Sequence, residues 1–268
     1  MSKAGSHKPR KRFGQNFLHD QNVIQNIIYA VAPQDDQILV EIGPGQGAIT
    51  RLLLEHCKQL HVIEIDRDLV QHLKSQFPAS EKLLIHNIDV LDFDFNTLAK
   101  DQRLRLIGNL PYNISTPLLF HIFNSTDRID DMHFMLQKEV VDRMAAEPGS
   151  KRYGRLSIMT QYHCAVEPLF NVAPGSFNPP PKVQSSIVRL IPHTQKPVTV
   201  SDYKLFAQIV NQAFSLRRKT LRNALKTIIN EQGLIDCDVD PTKRPETISL
   251  KAFARISDYV AENPIEPE

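Results

Sequence analysis

The residues best suited to chemistry lie in GNLPYNIS (108–115), where an amide, a proline and an aromatic ring follow the apolar run LRLI (104–107). The run reads as a strand, so Asn109, Leu110, Pro111 and Tyr112 fall at its carboxyl end. An exocyclic amine on adenine is a poor nucleophile, because its lone pair is conjugated into the ring. Two acceptors on its hydrogens, the Asn109 side-chain oxygen and the Leu110 main-chain carbonyl, would orient it and favour the pyramidal form. Pro111 restricts the local φ, and Tyr112 offers a ring to stack on an extruded base. Asn109 is neutral and serves as an acceptor, not as a base; a methylated amine is acidic enough to lose its proton to water. Phe177, in SFNPPPKV (176–183), is the candidate second stacking wall, with a core plug as the plain alternative.

Three further strand ends carry matching chemistry. Residues 38–42 run into the glycine-rich turn Gly43-Pro44-Gly45-Gln46-Gly47, which lets backbone approach a ligand without Cβ clashes. Glu64 closes the second strand, about 20 residues beyond the first glycine, where an acid accepts from ribose hydroxyls. Asp89 follows the third and suits an adenine amino group. The glycine spacing departs from G-x-G-x-x-G, with Ala48 after Gly47, and no basic residue in the turn meets a pyrophosphate. Two strand-end carboxylates favour a nucleoside that carries a cation, which the sulfonium of S-adenosylmethionine matches, over a nicotinamide dinucleotide.

Strands at 38–42, 61–65, 82–86, 104–107 and 132–136 alternate with helical patterns at 48–57, 68–75, 117–123 and 138–146, after a first helix at 23–31. That rhythm predicts βαβ units and a parallel sheet covered on both faces. Gln15-Asn16-Phe17 reads as loop. Residues 168–172 and 183–190 flank the proline-dense loop as an antiparallel hairpin at the sheet edge. Residues 192–199 read as a linker, and the remainder is helical, including a basic helix at 216–226. The expected division is a Rossmann-like α/β domain at 1–195, with a basic N-terminal arm, and a small α-helical C-terminal domain at 196–268.

The 268 residues carry a net charge of only +2, but two zones are basic without any acid. Residues 1–15 hold Lys3, Lys8, Arg10, Lys11 and Arg12; residues 203–230 hold Lys204, Arg217, Arg218, Lys219, Arg222 and Lys226. Such zones are the footprint expected of a polyanion binder, and a solvated helix face is the plain alternative. Cys57, Cys164 and Cys237 lack metal-ligand spacing and read as reduced thiols of a cytoplasmic protein without a metal site. No apolar run is long enough to span a bilayer, and the basic N-terminus lacks the apolar segment of a secretory signal.

Together the blocks FGQNFLHD (13–20), EIGPGQG (41–47), VIEID (62–66), NIDV (87–90), NLPY (109–112) and FNPPPKV (177–183) resemble the rRNA adenine dimethyltransferase family, in its bacterial KsgA-type branch. The segment FSLRRKTL (214–221) is similar to that family's helical domain. The resemblance implies an S-adenosylmethionine-dependent enzyme that dimethylates two adjacent adenosines near the 3′ end of 16S rRNA in the small (30S) ribosomal subunit, late in assembly. It implies that Asn16 and Leu18 contact the cofactor, with Gly43 beside the methionine moiety, Glu64 on the ribose and Asp89 on the adenine. Asn109 then borders both cofactor and target amine, and Tyr112 and Phe177 flank the target base. A monomer is expected.

Other readings keep part of this. Large-subunit rRNA or DNA adenine could be the substrate, but the C-terminal segment argues against the first. An acid commonly stands in place of Asn109 in DNA amino-methylases, which argues against the second. A binding factor that holds immature subunits would use the same basic helix. A dehydrogenase fits least.

Overall fold

The computed structural model describes residues 15–78, 80–98, 102–216 and 218–264. The basic arm up to residue 14, with Phe13 and Gly14 of the first block, therefore lies outside the described residues, as do Arg217 and the last acidic residues of the tail.

Contacts divide the chain into two compact units. One takes the chain up to Val141 together with Glu167–Pro192; the other takes Asp142–Val166 and His193–Glu268. The cut thus differs from a single break at residue 195, because residues 142–166 group with the C-terminal helices.

The first unit is built on a seven-stranded sheet. Its strands are β2 (Ile38–Ile42), β3 (Gln59–Ile63), β4 (Leu83–His86), β5 (Leu104–Asn109), β6 (Ile129–Gln137), β7 (Cys164–Val172, of which the part from Glu167 belongs to this unit) and β9 (Ser185–Pro192), in the order β4-β3-β2-β5-β6-β9-β7. A separate two-stranded sheet pairs β1 (Phe17–Leu18) with β8 (Phe177–Asn178). Strands β4, β3, β2, β5 and β6 pair in parallel, and β9 joins β6 antiparallel with β7 beside it at the sheet edge, where the hairpin is expected. From β2 the chain winds outward through β3 and β4, then returns to β5 on the other side. The carboxyl ends of β2 and β5 are thus the topological switch point, where open α/β sheets take their ligands.

Helices α1 (Gln21–Val31), α2 (Thr50–Glu55), α3 (Arg67–Gln76), α4 (Ser115–Ile122) and α5 (Lys138–Met144) follow the strands. Alternation along the strands sends Leu39, Leu60, Val62, Ile107 and Met135 into one buried cluster with Ile24 and Ile27 of α1 and Leu53 of α2. Two of these helices start where short polar side chains cap them: Asp20 accepts from the backbone of Asn22 and Val23 at α1, and Asp66 from that of Asp68 at α3. Helix α2 is shorter than the expected 48–57, because the glycine-rich turn continues through residue 49 and no side chain caps Thr50.

β1 corrects the loop expected at residues 15–17. Phe17 pairs with Asn178 and Leu18 with Phe177, antiparallel. A strand of two residues has no period to read; its partner, distant in sequence, defines it.

The second unit is helical: α6 (Arg155–His163), α7 (Tyr203–Ser215), α8 (Leu221–Leu225), α9 (Glu231–Asp236) and α10 (Leu250–Glu262). Phe206, Leu221, Leu225, Phe253 and Ile256 form its buried centre. The continuous basic helix expected at 216–226 is absent. Leu216 ends α7 in a non-helical conformation, and a new helix begins only after Thr220. Arg218, Lys219, Arg222 and Lys226 therefore sit on a break and a short helix, all exposed.

Candidate active site

A cavity of about 320 Å³ opens at the carboxyl ends of β2 and β5, with its walls drawn from five segments of the first unit. Of the site residues read from sequence, Asn16, Leu18, Gly43, Glu64, Asp89, Asn109, Leu110 and Tyr112 all line it. Phe177 does not: it is 2% exposed and packs in the core cluster with Leu18, Ile24 and Ile187. The expected second stacking wall is, in this structure, a core residue of β8, paired with Leu18 of β1.

The glycine-rich turn follows β2. The Gly43 N–H donates to the Ile63 carbonyl at 3.0 Å, tying the turn to the end of β3. Gly45 has φ +57°, and a Cβ there would stand 3.1 Å from the Phe17 ring. Only glycine suits both conditions.

The carboxyl end of β3 carries Glu64, one residue past the strand because register pairs Ile42 with Ile63. Its carboxylate accepts from the Asp66 N–H at 2.8 Å, and Asn87 Nδ2 donates to its main-chain carbonyl at 2.8 Å. Burial pushes the Glu64 carboxyl above its ordinary value, against the backbone N–H groups of Asp66, Gly45 and Ile65. Glu41, fully buried in β2, accepts from the Thr50 hydroxyl at 2.6 Å. Burial drives it up to about 7, and the neighbouring Glu64 adds to the rise.

After β4, Asp89 Oδ1 accepts from the Leu91 N–H at 3.0 Å and so caps the turn Val90–Asp92. Two apolar side chains beside the acids, Ile65 and Ile88, line the cavity while remaining 43% and 38% exposed. Sequence reasoning passed over both. Their signal was an aliphatic residue beside each strand-end acid, where an ordinary loop would be polar.

β5 ends at Asn109, which faces Met135 of β6, and Gly108 faces Ile42. A Cβ on Gly108 would meet the Ile42 carbonyl at 2.8 Å, so the close approach of the two strands demands glycine here. Asn109 Nδ2 donates to the Asn16 main-chain carbonyl at 3.0 Å. An amide that gives its N–H in one direction presents its oxygen in the other. Leu110 N–H donates to the Met135 carbonyl at 3.2 Å, and Ile114 N–H to the Pro111 carbonyl at 3.1 Å, which closes the turn. Tyr112 holds its hydroxyl 2.6 Å from Ser185 Oγ on β9.

The donor set suits a nucleoside with a cationic substituent: acids for the hydroxyls and amino group, aliphatic faces for a base, and a glycine turn for close approach. Among the described residues no group of three or more His, Cys, Asp or Glu could hold a metal ion. Nor is any described helix long and apolar enough to cross a membrane.

Comparison with known proteins fits this geometry. The family model for ribosomal RNA adenine dimethylase matches residues 6–262. The ribosomal RNA small subunit methyltransferase A of Pseudomonas syringae pv. syringae is 53% identical over 263 residues, spanning 98% of both chains. That of Hahella chejuensis is 53% identical over 263 residues, spanning 98% of this chain and 96% of its own. Among solved structures, a dimethyladenosine transferase from Plasmodium falciparum superposes with a TM-score of 0.77 at 28% identity, over 90% of this chain and 95% of that one. The 23S rRNA methyltransferase ErmE shares the fold, with a TM-score of 0.70 at 21% identity over 92% of this chain and all of that one. With a strand-end Asn-Leu-Pro-Tyr beside a nucleoside-sized cavity and a family match across nearly its whole length, the chain belongs to the ribosomal RNA adenine dimethylases, enzymes that dimethylate the N6 of adenine in rRNA with S-adenosylmethionine.

Proposed function

We propose that this chain dimethylates two adjacent adenosines near the 3′ end of 16S rRNA, within the small ribosomal subunit and late in its assembly. The observation that carries the chemistry is the Asn109 amide, anchored through its N–H to Asn16 so that its oxygen faces the other way. The identity of its relatives, named for small-subunit rRNA, supports the choice of substrate.

Bound in the cavity, S-adenosylmethionine supplies an electrophilic methyl group. Glu64 accepts from the ribose hydroxyls and Asp89 from the adenine amino group, while Ile65 and Ile88 cover the faces of the base. Gly43 lets the backbone approach the methionine moiety, and Asn16 and Leu18 close the wall opposite. On the substrate side, Asn109 Oδ1 and the Leu110 carbonyl accept from the target amine. They draw its lone pair out of conjugation with the ring. Tyr112 stacks on the extruded base. No side chain in this constellation has to act as a base, since the methylated amine loses its proton to water.

The exposed basic residues of the helical unit, Arg218, Lys219, Arg222 and Lys226, suit rRNA phosphates. The same contacts would let the protein hold immature subunits, so the assembly role coexists with catalysis. We place the enzyme in the cytoplasm as a monomer, where its ribosomal substrate is assembled.

The test is to incubate the protein with labelled S-adenosylmethionine and undermethylated small subunits, large subunits, naked RNA or DNA, and to analyse the modified nucleoside by mass spectrometry. Dimethyladenosine confined to small subunits is expected. Label in large subunits or DNA would overturn the substrate assignment. Asn109→Ala should lose nearly all transfer with cofactor binding largely intact; wild-type turnover would remove Asn109 from the mechanism.

A further inference from the structure

The segment of residues 15–18 lines the cavity and is tied to the rest of the fold by several contacts. Phe17 and Leu18 pair with Asn178 and Phe177. The Asn16 carbonyl accepts from Asn109 Nδ2 at 3.0 Å. Gln15 Nε2 donates to Asp66 Oδ2 at 3.0 Å, and Asp66 is 1% exposed. The other carboxylate oxygen, Asp66 Oδ1, accepts from the Asp68 N–H at 3.0 Å and starts α3. The two oxygens thus do separate jobs: one begins a helix of the scaffold, the other takes the segment that lines the cavity.

The consequence falls on Asn109. Its side chain can catalyse only with Oδ1 toward the target amine, because Nδ2 there would set a donor against a donor. The Asn16 carbonyl selects the useful orientation, and it does so only while the segment is in place. The far side is tied down through β1 and just beyond it, where the His19 N–H donates to the Ser176 carbonyl at 3.0 Å and the Ser176 hydroxyl to Asp20 Oδ2 at 3.1 Å; on the near side the Gln15–Asp66 bond helps keep the Asn16 carbonyl within reach.

We propose that Gln15 is a positioning residue for methyl transfer: through Asp66 it latches residues 15–18 in the cavity wall, so that the Asn16 carbonyl fixes Asn109 with its oxygen toward the target amine. This rests on the reading of Asn109 as the amine's acceptor. In this role Gln15 acts through Asp66 and Asn16, not by contact with the target amine. Its loss therefore acts on the rate of the chemical step more than on substrate affinity.

The experiment uses single-turnover methyl transfer to undermethylated small subunits at saturating S-adenosylmethionine, with the full chain. Gln15→Glu sets a carboxylate against that of Asp66 and should slow transfer by roughly tenfold to a hundredfold, as small misplacements of reacting groups do. The loss should shrink as pH falls, since two carboxylates in contact share a proton. Adding Asp66→Asn to Gln15→Glu reverses donor and acceptor, because the new amide can donate to the new carboxylate while its oxygen still caps α3. That double variant should recover most of the rate. Gln15→Leu, which cannot donate, should show the loss without added charge, and thermal melts of all variants should match wild type.

A wild-type rate for Gln15→Glu and Gln15→Leu, or a double variant no faster than Gln15→Glu, overturns the latch. Asn109→Ala, run alongside, separates the two claims. If it keeps full turnover, the acceptor reading has failed; if it is inactive while the Gln15 variants are unaffected, only the latch has.

Discussion

The phenol of Tyr112 lies 2.6 Å from the hydroxyl of Ser185, joining the turn after β5 to the first residue of β9. Burial pushes that phenol above its ordinary value, so it stays neutral and hydrogen-bonded at any working pH. The bond fixes the phenol end of the ring, and Ser185 is itself fully buried. Stacking on a base is worth ~1–3 kcal/mol, whereas one neutral hydrogen bond contributes ~1 kcal/mol. Tyr112→Leu should therefore cost turnover far more than Tyr112→Phe or Ser185→Ala, which should resemble each other. Steady-state transfer to undermethylated subunits distinguishes the cases. Equal losses for Tyr112→Leu and Tyr112→Phe would assign the role to the hydroxyl, not the ring.

Glu41 makes stability depend on pH. Its folded carboxyl is raised to about 7, chiefly by burial, while in the unfolded chain it titrates near the ordinary glutamate value. Between these limits the folded state holds the proton and the unfolded state does not. The stabilisation is complete below the unfolded value and is lost as pH rises through about 7. Glu41→Gln keeps an acceptor for Thr50 and cannot ionise. Compared with wild type, it should gain up to ~3 kcal/mol between pH 5 and pH 8. Urea denaturation without cofactor at both pH values reads this directly. An identical offset at both would mean that Glu41 ionises as freely in the fold as outside it.

At the amino end of β5, away from Asn109, a buried ion cluster holds the sheet. Asp131 accepts from Arg105 Nε at 2.8 Å and from Arg189 Nε at 3.1 Å, and Arg105 also donates to the Val31 carbonyl at 2.7 Å. Burial alone would push the Asp131 carboxyl up. The Arg105 hydrogen bond, with the charges of Arg105 and Arg189, overcomes it and keeps the group below its ordinary value, while burial pushes the nearby His133 down to about 4 and leaves it neutral. Asp131→Ala leaves Arg105 buried without a counter-charge and should cost ~3–5 kcal/mol. Replacing both, as Arg105→Met with Asp131→Leu, should recover much of that loss. Chemical denaturation gives both values; a loss below ~1 kcal/mol for the single variant would mean that water reaches Arg105.

How much of this was legible depended on whether a residue's neighbours in sequence are also its neighbours in space. Glu64, Asp89 and Asn109 each follow an apolar run, and an acid or amide at such a place has few structural reasons to be there. β1 was invisible because Phe17 and Leu18 become a strand only through Phe177 and Asn178. Phe177 could not be assigned for a related reason: a phenylalanine in a proline-rich loop has the same local signature as a ligand wall or a core plug, and packing decided it. Residues 142–166 fell inside the α/β domain expected at 1–195, yet their tertiary contacts lie with the helical unit. The basic run at 216–226 lacked an apolar period strong enough to carry a helix through Leu216, and it breaks there.

That break bears on how RNA is held. Arg218, Lys219, Arg222 and Lys226 project from a turn and a short helix, not from one helical stripe. Arg222 is already paired with Glu231 at 3.3 Å, both side chains about half exposed. Exposed pairs of this kind contribute little to stability, so Arg222 can exchange its partner for phosphate at small cost, but it starts from a partly neutralised position. Reversing Arg218, Lys219 and Lys226 together should weaken binding to small subunits and flatten its salt dependence by ~0.7–0.9 in log–log slope for each phosphate no longer neutralised. Arg222→Glu alone should do less to the slope and also destabilise α9 through repulsion of Glu231, whereas Glu231→Gln should tighten binding slightly by freeing Arg222. Filter binding across a salt series gives the slopes. Unchanged affinity in the triple variant would make these side chains a solvated surface and move the RNA-binding face elsewhere on the enzyme.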